Sequence, residues 1–246
     1  MNVLITGNSS GLGRGLTEAA LARGWTVFGL SRRGCDLPGV HDVRCDLADH
    51  EAIGPAINRL LAGVGRLELV ILNAGVLGEI ADLQDTDLES LKQVMEINVW
   101  ANKTLIDALI GRGVAVGQIV GISSGAAVLG NRGSSGYALS KAALNMLLRL
   151  YARELPQAHV SALAPGLIDS RMIDTLCSAS DPERFPALER IRAARGTDRM
   201  LAPREAAERV LSVLPALLDF PSGEFVDIRQ IDAPEEYAEL MARSRP

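Results

Sequence analysis

Two side chains capable of acid–base chemistry lie one helical turn apart past the middle of the chain. Tyr137 and Lys141 are at positions i and i+4 in the segment SGYALSK, at the start of a predicted helix, so they share one helix face. An ammonium group beside a phenol favours the phenolate and lowers a phenol pKa that is near ~10 in water. Such a phenol gives or takes a proton near neutral pH, as the interconversion of an alcohol and a ketone requires. Alone, the same spacing is also common on helix surfaces with no chemical role.

A glycine-rich turn joins the first predicted strand to the first predicted helix. The segment TGNSSGLG has the spacing GxxxGxG rather than GxGxxG, and no GK[ST] follows it, which disfavours a nucleoside triphosphatase. Glycines let the chain turn tightly and let its amides approach a pyrophosphate, to which the helix N-terminus adds free N–H groups. The residues predicted to bind a dinucleotide here are Gly7, Asn8, Ser9, Ser10, Gly11, Leu12 and Gly13.

The end of the second predicted strand indicates which dinucleotide is bound. An NAD site usually has Asp or Glu at this point to accept the ribose hydroxyls. Here the chain has Ser31, Arg32 and Arg33, with no acid until Asp36. Guanidinium groups bind a 2′-phosphate through charge-assisted, bidentate hydrogen bonds, so NADP(H) is favoured. In the alternative interpretation, the two arginines are solvated loop charges.

The elements that must position these residues alternate regularly between strand and helix. The apolar runs predicted as strands are 2–6, 25–30, 67–73, 118–123, 159–165 and 224–228. The segments predicted as helices are 11–23, 49–63, 87–111, 136–155 and 203–218. This alternation predicts a single doubly wound Rossmann-type α/β domain over 1–246, with a parallel sheet of about seven strands in the order 3-2-1-4-5-6-7 and helices on both faces. Residues 170–202 are predicted to be an irregular insertion that acts as a substrate lid, or else a passive surface excursion.

Composition and charge exclude several classes of protein. The chain has 246 residues, 48 % of them hydrophobic, and a net charge of −5, so neither a disordered protein nor a nucleic-acid-binding protein is expected. The uncharged run 113–131 contains too many glycines and polar residues for a membrane helix. The N-terminus shows no export signal, and three cysteines without paired spacing indicate no metal site and a reducing compartment. A cytoplasmic location is therefore expected.

Together the motifs resemble those of the short-chain dehydrogenase/reductases. The residues that carry the resemblance are TGxxxGxG at 6–13, Asn73-Ala74-Gly75, Asn98, Ser123-Ser124, Tyr137-xxx-Lys141 and Pro165-Gly166. The resemblance implies that Tyr137 is the catalytic acid–base and that Lys141 holds the nicotinamide ribose and lowers the tyrosine pKa. It further implies that Ser124, thirteen residues before the tyrosine, orients the carbonyl, and that Asn98 holds a water in a proton relay.

The same resemblance implies the rest of the cofactor site. Asn73, Ala74 and Gly75 would border the adenosine side, and Asp46 and Leu47 would touch adenine. The residues expected beside the nicotinamide carboxamide are Pro165, Gly166, Ile168 and Ser170.

The C-terminal third of the chain resembles the sepiapterin/benzil reductase branch of that family. The segments APGLIDSRM (164–172) and PSGEFVDI (221–228) carry this likeness, which implies reduction of a small ketone or vicinal dicarbonyl with NADPH. In that branch an acid near the last strand holds a pterin, and Asp227 matches its position, although a capping or salt-bridged carboxylate is an equally good interpretation. Relatives commonly form dimers or tetramers through two long helices, here 87–111 and 136–155.

Two other functions stay open at this point. One is an NAD(P)-linked alcohol, 3-oxoacyl or steroid-type dehydrogenase of the same family, which the missing acid after the second strand disfavours. The other is a non-catalytic dinucleotide-binding sensor, which a broken catalytic set would favour, whereas the set here is intact.

Overall fold

Strands and helices alternate along the chain, which the computed structural model describes over residues 1–178 and 183–243. The strands are β1 (Asn2–Thr6), β2 (Thr26–Ser31), β3 (Val40–Arg44), β4 (Arg66–Leu72), β5 (Ala115–Ile122), β6 (His159–Ala164), β7 (Leu167–Ile168), β8 (Met200–Leu201) and β9 (Phe225–Asp227). The helices are α1 (Gly11–Ala22), α2 (His50–Leu60), α3 (Leu88–Met95), α4 (Ala101–Gly111), α5 (Ala126–Leu129), α6 (Ser135–Glu154), α7 (Arg171–Ser178), α8 (Pro186–Ala194), α9 (Pro203–Val213), α10 (Arg229–Asp232) and α11 (Pro234–Arg243).

The main sheet has seven parallel strands in the order β3-β2-β1-β4-β5-β6-β9. Alternate residues of β1 point to opposite faces, as strand geometry requires. Val3 and Ile5 pack with α1 and α9, whereas Leu4 packs with α2, α4 and α6. Both faces are therefore covered by helices, and the predicted single α/β domain with a doubly wound parallel sheet is confirmed. No helix in the described ranges is both long and apolar enough to cross a bilayer.

Strand β3 is the one main-sheet strand for which sequence periodicity gave no position. Its sequence VHDVR lies at the sheet edge, where His41 and Arg44 are exposed and Val43 is the one buried residue of the strand. An edge strand buries little apolar surface, so it lacks the continuous hydrophobic run by which the central strands are recognised. His41 stacks on Phe28 of β2 with ring centroids 5.1 Å apart, which helps to hold this edge in register.

Two predicted helices differ from the observed ones. The segment predicted as one helix over 87–111 is interrupted by a π-helical turn at Glu96–Trp100, between α3 and α4. The helix predicted over 203–218 ends at Val213 and is followed by a 3₁₀ turn. Asp49 caps α2 by accepting a hydrogen bond from the Ala52 amide.

The segment 170–202 is not irregular where it is described. It contains α7, α8 and β8, and β8 pairs with β7 in a small separate parallel sheet. The residues that form its own apolar cluster are Ile173, Leu176, Phe185, Leu188, Ala194 and Met200. We call residues 170–178 and 183–202 the cover segment. Residues 179–182 of the predicted lid lie outside the described residues.

Candidate active site

A cavity of about 860 Å³ lies at the carboxyl ends of the central strands. Its wall is formed by the turns that follow β1, β2, β4, β5 and β6, and by the cover segment. Ligands of open α/β sheets bind at this edge, because all the strand ends and helix N-termini point there. The predicted site residues should therefore line this cavity.

The glycine-rich turn leaves its helix N-terminus open toward this cavity. Gly7 and Gly11 have φ values of +69° and +54°, which favour glycine. A Cβ at Gly11 would contact only the Ser170 side chain, at 3.8 Å, so there is open space beside this glycine. A larger residue at position 11 would fill that space. Ser10 makes no side-chain capping bond to α1 and instead accepts a hydrogen bond from Arg33 at 2.9 Å. The first α1 amides thus stay available to an anion.

Two residues of the predicted turn do not line the cavity. Asn8 is fully buried and donates to the Asp42 carboxylate of β3 at 2.9 Å. A Cβ at Gly13 would lie 2.2 Å from the Gly7 carbonyl oxygen, so this glycine allows α1 to approach the turn. Both residues shape the turn, and neither is among the residues that line the cavity.

The end of β2 carries an unpaired hydroxyl group beside two cations. Ser31 is 5 % exposed, lines the cavity, and its Oγ has no hydrogen-bond partner in the described structure. Arg32 and Arg33 are exposed at the same end of the wall, and Asp46 and Leu47 also line it. An orphaned hydroxyl, guanidinium groups and open amides are the donor set that the adenosine ribose and phosphates of a dinucleotide need. These residues therefore fit a nicotinamide dinucleotide.

Tyr137, Ser124 and Lys141 come together at the other end of the cavity. The Ser124 hydroxyl and the Tyr137 phenol line the same end of the cavity, and Ser124 lowers the pKa of that phenol. Lys141 is 3 % exposed, donates to the Ile122 carbonyl at 2.7 Å, and holds its Nζ 5.6 Å from the centre of the Tyr137 ring. Ser123, by contrast, donates to Asn145 at 2.5 Å, so of the two serines Ser124 is the one that acts on the pKa of the phenol.

The pKa values of this cluster differ from the simple expectation. Burial raises the pKa of the Tyr137 phenol, and the hydrogen bond with Ser124 opposes this only in part. Burial also lowers the pKa of Lys141 to about 8. The direction of the Tyr137 shift is therefore opposite to the predicted lowering, because desolvation of the phenolate is its largest cause.

Asn98 is fully buried behind the cavity wall rather than in it. Its Oδ1 accepts from the Val76 amide at 2.8 Å, and its Nδ2 donates to the Val76 carbonyl and the Ser140 hydroxyl, each at 2.9 Å. Its own carbonyl accepts from Asn102 at 2.8 Å. The oxygen and the nitrogen of the Asn98 side-chain amide are thus both bonded to protein groups. Asn98 itself lies in the π-helical turn that interrupts the long helix. Asn98 connects the loop after β4 to α6.

The loops after β4 and β6 complete the wall as predicted. The Asn73 amide donates to the Thr6 hydroxyl, and its side chain donates to the Thr6 carbonyl, both at 2.9 Å. This pairing holds the loops after β1 and β4 together. The predicted residues of these two loops that line the cavity are Asn73, Ala74, Gly75, Pro165, Gly166, Ile168 and Ser170.

Asp227 lines the cavity, but its carboxylate forms an ion pair with an arginine. Arg229 donates to Oδ1 at 2.8 Å and to Oδ2 at 2.6 Å, and Asp227 is 2 % exposed. Arg229 in turn lies 3.7 Å from Glu236 of α11. The salt-bridged interpretation is the one that this geometry favours, and the carboxylate has no free edge for a pterin.

The substrate half of the cavity was the part that sequence reasoning missed. Its apolar wall comes from α5, α7 and α8, with polar groups at one side. The residues that line it are Leu129, Asn131, Met172, Leu176, Leu188, Arg190 and Ile191. The one sequence signal was the position of 170–202 directly after a strand end.

A further contact fastens the cover segment to the opposite rim. Arg184 donates to Asp82 at 2.8 Å and also bonds with Asp85, while Arg132 donates to Asp82 at 2.5 Å. Both guanidinium groups lie near the Phe185 ring, at 5.4 and 6.0 Å. These arginines hold the pKa of Asp82 far below its usual range, so the contact persists through ordinary acid pH.

The fold and site define an oxidoreductase that binds a nicotinamide dinucleotide and acts on CH–OH or C=O groups. The sequence profile of the short chain dehydrogenases matches residues 1–180. The chain belongs to the short-chain dehydrogenase/reductase family.

Individual relatives differ in cofactor and substrate. The chain is 27 % identical to the benzil reductase ((S)-benzoin forming) of Saccharomyces cerevisiae, over 91 % of this chain and 94 % of that protein. It is also 27 % identical to the 2-dehydro-3-deoxy-L-rhamnonate dehydrogenase (NAD(+)) of a Sphingomonas species, over 70 % of this chain and 74 % of that one. Among solved structures, the KRED1-Pglu enzyme superposes with a TM-score of 0.79 at 26 % identity, covering 92 % of this chain and 99 % of the other.

Proposed function

We propose that the protein is an NADPH-dependent carbonyl reductase that acts on a small ketone or vicinal dicarbonyl. The observation that carries this proposal is that Ser124, Tyr137 and the buried Lys141 line one end of the cavity, with the Lys141 Nζ 5.6 Å from the centre of the phenol ring. Two hydroxyl groups that converge at one point can hold one carbonyl oxygen between them. The benzil reductase relative supports the substrate class.

The chain's own residues provide the proton and the orientation. When bound, the dinucleotide supplies a hydride to the carbonyl carbon. The Ser124 hydroxyl donates a hydrogen bond to the carbonyl oxygen and fixes its position. Tyr137 gives its phenolic proton to the same oxygen as the C=O π electrons move onto it, so the product is an alcohol and the residue is left as phenolate. Lys141, still protonated at neutral pH, stabilises that phenolate.

The remaining predicted site residues are assigned in the same proposal. Arg32 and Arg33 bind the 2′-phosphate of NADP(H), the turn at 7–12 binds the pyrophosphate, and residues 165–170 face the nicotinamide. Asn98 is a positioning residue, since its contacts act on Val76 and Ser140. The cover segment closes the substrate end and excludes water from the carbonyl.

The Tyr137→Phe variant tests the proposal. We expect turnover of a ketone to fall about 10²–10⁴-fold while NADPH binding is nearly unchanged, because the hydroxyl acts only in proton transfer. Steady-state rates and fluorescence titration with NADPH measure the two effects. Tyr151→Phe is the matched control, because this second α6 tyrosine bonds with Asp107 outside the cavity. More than a tenth of the wild-type rate in Tyr137→Phe would remove the assignment.

The NAD-linked relative favours one second candidate, a dehydrogenase that works in the direction of oxidation. Titration with NADPH and NADH, followed by rates with a panel of ketones and alcohols, separates the two. Tight NADPH binding with faster ketone reduction supports the reductase. Preference for NAD with faster alcohol oxidation supports the alternative, and cofactor binding without any turnover supports a sensor.

A further inference from the structure

The wall of the cavity is strongly cationic in a chain whose net charge is −5. Over the described part of the chain, its charged residues are six cations and two carboxylates. The cations are Arg32, Arg33, Lys141, Arg171, Arg190 and Arg229, and the carboxylates are Asp46 and Asp227. An acidic protein that concentrates positive charge in one concave site attracts anions to that site.

Most of these cations have a partner or a place beside the dinucleotide. Arg229 is neutralised by Asp227. Lys141 is held beneath Tyr137, and the two arginines after β2 are at the adenosine end. Arg171 follows Ser170, whose side chain lies beside Gly11 of the phosphate-binding turn. Arg190 has neither an ion-pair partner among the described residues nor a position beside the dinucleotide.

Arg190 lies on α8 at the substrate end of the cavity. Its guanidinium group is exposed and makes one hydrogen bond, to the Asn131 side chain at 3.3 Å. Within residues 1–178 and 183–243, no carboxylate is at ion-pair distance from it. Two acids of the cover segment pair with other arginines: Asp174 with Arg195 and Glu189 with Arg192.

The surface that accompanies Arg190 is apolar. Leu188 and Ile191 of α8 and Leu129 of α5 line the same cavity as Arg190, Ser124 and Tyr137. A ligand whose carbonyl rests at Ser124 and Tyr137 therefore meets an apolar surface and then a cation with unused donors. An arginine in this state binds a carboxylate in bidentate fashion.

We propose that Arg190, steadied by Asn131, binds the carboxylate of the carbonyl substrate. The substrate is then a keto acid whose carbonyl and carboxylate are separated by an apolar spacer, rather than a neutral ketone. This inference rests on the proposed reductase function.

Matched keto acids and their methyl esters test the inference on the intact protein with NADPH. We expect the wild type to have the higher kcat/KM for the acid. Arg190→Met should lower kcat/KM for the acid roughly 10-fold or more, through KM, and leave the ester nearly unchanged. Arg190→Lys should restore part of the preference, and added salt should weaken it. Arg199→Met is the control, since this exposed arginine of the cover segment does not line the cavity.

The possible outcomes separate this inference from the function on which it rests. Equal rates for acid and ester in the wild type, or equal losses for both in Arg190→Met, would overturn the carboxylate site while the reductase function stands. If the wild type binds NADPH but reduces neither the acid nor the ester, nor any other ketone, the proposed function itself is overturned.

Discussion

At the scale of single residues, the proposed preference for NADP(H) is tested at Arg32. We expect Arg32→Ala to weaken NADPH binding roughly 10-fold or more and to leave NADH binding nearly unchanged, because only NADPH carries the 2′-phosphate that the guanidinium would bind. Fluorescence titrations with both cofactors measure this difference. Arg59→Ala, an exposed arginine on α2, controls for the loss of a surface charge. Equal weakening of NADPH and NADH would show that Arg32 acts on the fold of the loop and not on the phosphate.

The same scale shows how far the sequence could predict the site. The places of Tyr137, Lys141 and Gly11 in the site can be predicted from their spacing in the sequence, because a helix turn and a strand-to-helix turn are local structures. The roles of Asn8 and Asp227 cannot. Asn8 follows β1 but bonds to Asp42 of β3, which is two strands away in the sheet. Asp227 pairs with Arg229, two residues further on, only because of the way the chain turns after β9.

At the scale of elements, the buried strands were predicted more accurately from the sequence than the exposed strand and helices. The central strands are continuous apolar runs, and the positions predicted for them agree with the structure to within a few residues. The edge strand β3 and the helices of the cover segment carry many polar and charged residues, so their periodicity is weak. The π-helical turn at Glu96–Trp100 depends on the contacts of Asn98 with another loop, which no local pattern in the sequence reports.

The contact between β9 and the C-terminal helices gives a prediction at this scale. Asp227→Asn leaves Arg229 with a weakened partner at a buried position, so we expect a loss of about 1–3 kcal/mol in the free energy of unfolding. Because Arg229 holds the carboxylate, kcat/KM should fall by a similar factor for a pterin ketone and for a neutral diketone. Urea unfolding and rates on both substrates measure this, with Glu224→Gln as an exposed control. A rise in KM confined to the pterin would return Asp227 to the role of substrate anchor.

At the scale of the whole molecule, one helix face is left apolar and exposed. Leu139, Met146 and Leu150 of α6 are 51 %, 54 % and 50 % exposed, and their spacing of seven and four residues puts them on one stripe. Trp100, at the end of the π-helical turn that packs on α6, is 42 % exposed. Monomeric proteins seldom leave such a stripe uncovered.

We therefore expect copies of this chain to associate through the α4 and α6 faces into a dimer or tetramer, because burial of this stripe on itself is favourable and a twofold axis makes the same patch complementary to itself. Sedimentation analysis of the wild type should give a mass at least twice that of one chain. The double variant Met146→Glu, Leu150→Glu should shift that mass to the monomer, since two carboxylates on each face would be desolvated and would repel each other. Leu218→Glu, at an equally exposed leucine beyond α9, should leave the mass unchanged. A monomeric wild type, or an unchanged mass in the double variant, would mean that this stripe is not an interface between copies of the chain.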